Sequence, residues 1–248
     1  MKILRSNKTF ILLVFVLGIV SAINLFLPQG TMVGEFELPA SKPFMAVVSF
    51  FIITFLYGGL GLLGIHLSGK LGFVEIWDIN VTNYQRFIQP ALVGLGIGVF
   101  FIASDFVFSQ FNGLGHIPHP PFPTSLTASI AAAIGEEIIF RLFFISFWLW
   151  LISQILLKGK WQKLLFWIIT GLSAITFAIG HLPSVMLLFD IGSFSEIPLS
   201  LLTEVILLNG LLSFFAAYFL KKFGFIAAVG MHFWADILWH VVFGLMIK

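Results

Sequence analysis

The chain has 248 residues, of which 59% are hydrophobic and only 10% are charged, and its formal net charge is +2. Soluble domains are about 45–50% apolar and about 25% charged. This composition therefore excludes a soluble enzyme, a disordered chain and a nucleic-acid-binding module, and it indicates a polytopic membrane protein. The absence of cysteine also excludes disulfides, thiolate metal sites and a cysteine nucleophile.

Seven apolar stretches are long enough to cross the membrane as helices, which requires about 20 residues for about 30 Å of hydrocarbon. In chain order they are residues 10–27, 44–67, 88–111, 124–157, 161–183, 197–220 and 225–247. Because the apolar runs are continuous, they predict helices and not the alternating strands of a barrel. The expected fold class is an all-α membrane helix bundle forming one domain over residues 1–248. An eighth or re-entrant piece around residues 183–189 stays open.

The distribution of Lys and Arg predicts the orientation of this bundle. With the N-terminus in the cytoplasm, ten basic residues lie in cytoplasmic segments, whereas Lys42 and Lys248 lie outside. The ten are Lys2, Arg5, Lys8, Lys70, Arg86, Lys158, Lys160, Lys163, Lys221 and Lys222. We expect an integral protein of a prokaryotic plasma membrane, with the N-terminus cytoplasmic and the C-terminus outside.

The first apolar stretch has a second interpretation as a cleaved signal peptide. Basic residues precede it, and the small residues Val20-Ser21-Ala22 could form a cleavage site. The apolar run continues from Ile23 to Leu27, which favours a retained span.

Five acids and four basic side chains inside the predicted spans stand out, because a charge there costs roughly 2.5–3.5 kcal/mol and usually marks function. They are Asp105, Glu136, Glu137, Arg141, His181, Glu204, His232, Asp236 and His240. Glu137 and Arg141 are four residues apart, so they share a helix face and can pair. Glu136 lies about 100° around the helix from Glu137 and is freer to act as a general acid or base. A Glu–Arg pair that only fixes helix packing stays open.

The seventh span carries a polar stripe at four-residue spacing, formed by His232, Asp236 and His240. At about 1.5 Å per residue, His232 and Glu136 lie at similar depths in the membrane. His181 in the fifth span is shallower unless that helix continues past Pro183.

Other polar residues receive weaker predictions. His240 lies nearer its helix end and is expected to face the outer interface. His116 and His119 belong to a proline-rich outer segment and are expected to be ordinary loop residues. No role is predicted for Asp105 or Glu204.

Three motifs on successive spans resemble the signature of the CAAX-processing and bacteriocin-processing family of intramembrane proteases. This family includes the type II CAAX prenyl endopeptidases and bacterial Abi-type proteins. Its pattern is Glu-Glu-x-x-x-Arg, then Phe-x-x-x-His, then His-x-x-x-Asn. The matching residues are Glu136, Glu137, Arg141, Phe177, His181, His232 and Asp236. The resemblance implies a catalytic core in the last four helices, over about residues 124–248.

The resemblance implies an endopeptidase that hydrolyses a peptide bond inside a membrane cavity. In the family the first Glu and the first His activate a water molecule, and these are Glu136 and His181 here. The implied supporting residues are Glu137, Arg141 and Phe177.

The third motif departs from the family pattern. The family's second His and its Asn stabilise the oxyanion, and the matching residues here are His232 and Asp236. An Asn amide can donate a hydrogen bond, but an ionised Asp cannot. Asp236 is therefore either protonated or orients His232.

Cofactor and partners are less constrained by the sequence. Glu136, His181 and His232 could bind Zn²⁺, and a metal-free Glu–His pair could activate water equally well. The expected partners are a peptide or protein substrate, lipidated or not, and membrane lipid, without nucleic acid.

Two other functions stay open. The departure at Asp236 motivates a non-catalytic member of the same fold, acting in bacteriocin immunity or as a membrane scaffold. Buried Glu and His residues also suit a proton-coupled transporter. The sequence shows no paired interrupted helices, which such transporters often have.

Overall fold

The computed structural model describes the backbone of residues 2–30 and 39–247. Within these ranges the chain is helical and contains no strand. Seven helices are long and apolar enough to span a membrane, which confirms the predicted fold class and indicates an integral membrane protein. They are α1 (Lys2–Asn24), α2 (Lys42–Lys70), α3 (Tyr84–Phe108), α4 (Thr124–Leu156), α5 (Gln162–Leu188), α6 (Leu199–Phe223) and α7 (Phe225–Met246).

The orientation prediction rests partly on residues that the structure does not describe. The side chains of Lys2 and Arg5, and the whole of Lys248, lie outside the described part of the chain. Arg86, another residue in that count, is buried, and its guanidinium holds the α2–α3 loop by donating to the Ile76 carbonyl at 2.9 Å and the Asp78 carbonyl at 2.7 Å.

The fifth helix is longer than the predicted 161–183, because α5 continues through Pro183 to Leu188. Proline has no N–H, so the carbonyl of Ile179 loses its helical partner, but the helix does not end there. The extension keeps His181 inside the helix, at a depth where it can meet groups on α4 and α7.

Two helices change their winding near the predicted motifs. In α4 a π-helical segment, Glu137–Ile145, begins at the Glu-Glu motif, and a second one covers Trp150–Leu156. In α7 the segment Ile237–Phe243 is π-helical. Such segments are rare and often occur at functional sites, because they shift side chains out of the regular α-helical register.

Helix α7 lies at the centre of the bundle and packs against α3, α4 and α6. Its approach to α3 is close because α3 presents glycines. A methyl group at Gly94 would collide with the Met231 carbonyl oxygen, and one at Gly98 would lie 2.7 Å from Leu238 Cβ. Small residues at such crossings allow membrane helices to pack backbone to backbone.

Helices α1 and α2 flank this core on one side. α1 buries Phe10 and Val14 against the bundle, and Thr9 accepts a hydrogen bond of 2.7 Å from the indole N–H of Trp77. α2 presents large apolar side chains outward, including Phe51 and Phe55, as expected for a lipid-facing helix.

The two ends of the bundle differ in charge. The basic end carries the α2–α3 and α4–α5 loops with Lys70, Lys158, Lys160, Lys163, Lys221 and Lys222. The opposite end, called the distal end below, carries segments 109–123 and 189–198.

Candidate active site

Three motif residues from three helices meet at one carboxylate. Glu136 comes from α4, His181 from α5 and His232 from α7. Oε2 of Glu136 lies 3.6 Å from Nε2 of His232, and Oε1 lies 3.9 Å from Nε2 of His181. The structure therefore brings together side chains that are separated by 45 to 96 positions in the chain.

These residues line the deep end of a cavity of about 150 Å³. Ile117 and Pro118, from the segment that follows α3, line its distal side. Apolar side chains of α5 and α6 form much of the remaining wall, including Val185, Leu188 and Leu208. The cavity thus joins a polar floor to apolar walls.

His181 is held in one tautomer. Its Nδ1 lies 2.8 Å from the carbonyl oxygen of Phe177, one turn earlier in α5. A carbonyl only accepts, so Nδ1 carries the proton and donates it. In the neutral imidazole Nε2 then bears a lone pair, and this nitrogen faces Glu136.

His232 is buried and has carboxylates near both of its ring nitrogens. Its Nδ1 lies 2.9 Å from Oε1 of Glu137, and its Nε2 lies 3.4 Å from Oδ2 of Asp236. Asp236 therefore faces the same nitrogen that points to Glu136. The structure thus places Asp236 where it can orient His232, one of the two roles that the sequence left open.

Glu137 and Arg141 form the predicted ion pair just behind the cavity. Both side chains are fully buried, and Arg141 Nε lies 3.5 Å from Glu137 Oε1. Arg141 also donates to Ser213 Oγ on α6 at 2.8 Å, and its guanidinium stacks over the ring of Phe177 at 4.2 Å from the centroid. Phe177 thus contacts the ion pair on one side and His181 on the other.

The fit of a metal ion can be tested on the donor set. In residues 6–30 and 39–247, no group of three or more His, Asp or Glu side chains is arranged so that it could hold a metal ion. Glu136, His181 and His232 are therefore not arranged to hold a zinc ion in this structure.

His116 and His119 of the distal segment were expected to be ordinary loop residues, but both contact groups on the membrane helices. Nδ1 of His119 lies 3.1 Å from Nδ1 of His240, which lines the cavity instead of facing the interface as expected. His119 also packs edge-on against Trp239 at 4.6 Å. Desolvation by this packing, together with the nearby His240 and His116, lowers the pKa of His119 to about 2.

The two acids without a predicted role lie together near the same segment. Asp105 is fully buried, pairs with His116 and accepts from the Ile117 N–H at 3.0 Å. Asp105 therefore fixes the residue that lines the distal side of the cavity. Glu204 on α6 lies next to Asp105 and is also fully buried.

Sequence reasoning missed the polar residues of α6. Ser213, the partner of Arg141, and Asn209, which lines the cavity, interrupt an apolar run at four-residue spacing. The signal that could have found them is that same spacing, which places two polar groups on one face of a membrane helix.

The fold and the site together define a membrane-embedded helical protein with an acid–histidine cluster at the floor of an intramembrane cavity. Residues 118–238 match the sequence model of the Rce1-like family, described as type II CAAX prenyl endopeptidase Rce1-like. The match includes all three motifs and confirms the resemblance found in the sequence. No curated protein and no solved structure matches the chain.

Proposed function

We propose that the protein is an intramembrane endopeptidase that hydrolyses a peptide bond with a water molecule activated by Glu136 and His181. The observation that carries this proposal is the separation of 3.9 Å between Glu136 Oε1 and His181 Nε2. This separation is too long for a direct hydrogen bond, but one water molecule between the two groups can bond to both.

The proposed reaction follows from the groups around that position. The oxygen of the water attacks the peptide carbonyl carbon, its proton passes to Glu136, and the carbonyl π electrons move onto oxygen. His232 faces the cavity with Nε2 and can donate to this oxyanion when both of its nitrogens carry protons. When the intermediate collapses, the carbon–nitrogen bond breaks and the leaving amine takes the proton from Glu136.

The buried pair behind the cavity supports this arrangement. Glu137 accepts from His232 Nδ1 and is neutralised by Arg141, which is itself fixed by Ser213. We propose that Glu137, Arg141 and Phe177 position His232 and His181 without touching the substrate.

The substrate class follows from the cavity and from the family's description. The apolar walls suit a hydrophobic peptide segment, and the matching family is described by prenyl endopeptidase activity. We propose a peptide or protein substrate at the membrane, and the experiment below compares a prenylated with an unprenylated one.

The decisive experiment is Glu136→Gln in proteoliposomes. The probes are two internally quenched peptides with the same sequence, one ending in a farnesylated CAAX motif and one unmodified. We expect the substitution to lower kcat by roughly 10²–10⁴-fold, because the general base is lost. Glu196→Gln, at an exposed carboxylate of the distal end, is the matched control and should retain full activity.

Full cleavage by Glu136→Gln would contradict the mechanism. The non-catalytic alternative would be supported by two results together. The wild-type protein would cleave neither peptide, and the Glu136→Gln variant would keep the cellular phenotype of the wild type. A parallel sample with a chelator reports whether a metal takes part.

The orientation can be tested independently because the chain has no cysteine. We propose that the distal end faces outward, as the basic residues predict, so that the cavity opens on that side. Leu114→Cys should then react with a membrane-impermeant maleimide in intact cells, whereas Lys160→Cys should react only after permeabilisation. The reverse labelling pattern would show that the orientation is inverted.

A further inference from the structure

The proposed site has one hydrogen-bond donor fewer than the family pattern provides. Where the pattern has an Asn amide, this chain has Asp236, and its Oδ2 faces Nε2 of His232 at 3.4 Å. A carboxylate at this position offers no N–H of its own. An oxyanion in the cavity would therefore depend on a second donor from elsewhere.

Helix α6 places a side-chain amide in the same cavity. Among the described residues that line the cavity, Asn209 is the one side-chain amide, and it shares the wall with Leu208 and Leu212. A polar residue within such an apolar run is costly in a membrane helix and usually indicates a function or a hydrogen bond across helices.

The depth of Asn209 matches that of Glu136. Arg141 on α4 and Ser213 on α6 are joined by a hydrogen bond of 2.8 Å, which fixes the relative level of two helices that both begin at the distal end. Four residues back along α6, from Ser213 to Asn209, is about 6 Å towards the distal end. Five residues back along α4, from Arg141 to Glu136, covers a comparable distance in the same direction. The amide and the general base therefore lie at nearly the same level.

The amide is oriented but has capacity left. Asn209 Nδ2 donates to the carbonyl oxygen of Val205, one turn earlier on its own helix, at 2.8 Å. An amide nitrogen carries two N–H groups, so one remains available to a ligand in the cavity. The hydrogen bond that holds the amide runs within α6, so it does not link α6 to another helix.

We propose that Asn209 donates its free amide N–H to the oxyanion of the tetrahedral intermediate, and so supplies the part that an asparagine at position 236 would otherwise supply. This inference rests on the proposed function. It makes α6 a fourth contributor to the site, and it explains how a chain with Asp at position 236 retains two oxyanion donors, Asn209 and His232.

The test combines two positions. With the same quenched peptides in proteoliposomes, Asn209→Leu should lower kcat by about 10²–10³-fold while KM changes little, because the lost bond forms in the transition state. Introducing Asp236→Asn into the Asn209→Leu protein should restore at least about tenfold of this loss, since a donor is returned to the cavity. Thr203→Val is the matched control, because Thr203 makes the same kind of hydrogen bond within α6 but is exposed, and it should leave kcat unchanged.

Binding measurements separate an oxyanion donor from a packing residue. A phosphinate analogue of the peptide imitates the tetrahedral intermediate, and the Asn209→Leu protein should bind it more weakly in proportion to the loss of kcat/KM. Binding of the uncleaved peptide to an inactive Glu136→Gln background should not change. Equal weakening of both ligands, or no rescue by Asp236→Asn, would overturn the inference.

The outcomes also distinguish this inference from the proposed function. If wild-type protein cleaves and Glu136→Gln does not, but Asn209→Leu retains its kcat, the inference fails and the endopeptidase proposal stands. If wild-type protein neither cleaves a peptide nor binds the phosphinate analogue, both fail together.

Discussion

Two adjacent carboxylates of α4 lie in opposite environments. Glu137 is fully buried, is paired with Arg141 and accepts from His232. Glu136 has 28% of its side chain exposed to the cavity and lies close to two histidines without a hydrogen bond to either. The carboxylate of Glu137 is occupied by its ion pair, whereas the carboxylate of Glu136 remains available to a water molecule or a substrate.

The difference shows how one helix can carry both a rigid support and a reactive group. The π-helical segment begins at Glu137, so winding changes between the two residues. Around Glu137 the side chains are joined to one another by hydrogen bonds and an ion pair. Around Glu136 the distances to the two histidines are too long for hydrogen bonds. Substitutions around Glu137 should therefore lower mainly the free energy of unfolding, and substitutions around Glu136 should lower mainly the rate of the proposed reaction.

Among the substitutions that test this difference, Arg141→Met is expected to have the largest effect on stability, because it leaves Glu137 buried without a countercharge. We expect the free energy of unfolding to fall by about 3–5 kcal/mol, the range for breaking a buried ion pair. Denaturant unfolding in detergent measures it. The double variant Glu137→Gln/Arg141→Met removes both charges and should recover most of the loss; a loss below about 1 kcal/mol in the single variant would contradict the pairing.

A smaller effect is expected from Ser213→Ala, which removes one hydrogen bond to the Arg141 guanidinium. The expected loss is about 1.5–2 kcal/mol, because the acceptor serves a buried charge. Ser195→Ala, at an exposed hydroxyl of the distal end, is the control. If Ser213→Ala lowers the free energy of unfolding as much as Arg141→Met does, the hydrogen bond to Ser213 and not the ion pair with Glu137 would account for the stability.

The smallest effect concerns the distal rim of the cavity and depends on pH. The pKa of His119 is about 2 in the folded protein, below its ordinary value near 6.5, so its neutral form stabilises the fold above pH 6.5 and this stability is lost on acidification. Between pH 7 and 5.5 the expected loss is about 1 kcal/mol, or roughly 2–4 °C in Tm. His119→Phe should reduce the change in Tm between pH 7 and 5.5. If the change in Tm stays the same, other histidines would be its cause.

Much of the architecture could be predicted from local properties of the chain. Apolar runs near the thickness of a bilayer gave seven helices, since lipid forces each backbone to satisfy its own hydrogen bonds. Four-residue spacing gave the Glu137–Arg141 pair, and depth along the helices brought Glu136 and His232 to one level. Hydropathy and the proline predict an end of α5 near Pro183, and only the depth of His181 argues for a continuation, because whether a helix survives a proline depends on the packing around it.

Motif spacing and hydropathy in the sequence alone determined the fold class, the family resemblance and the residues that line the floor of the site. Only the tertiary structure brings together groups from different segments of the chain. Ser213 bonds to Arg141, Asn209 lines the same cavity as Glu136, and His119 lies against His240. Spacing reports which side chains share a face of one helix, but the level and rotation of two helices are fixed by their mutual packing. The hydrogen bond between Arg141 and Ser213 is one of the contacts that align α4 with α6.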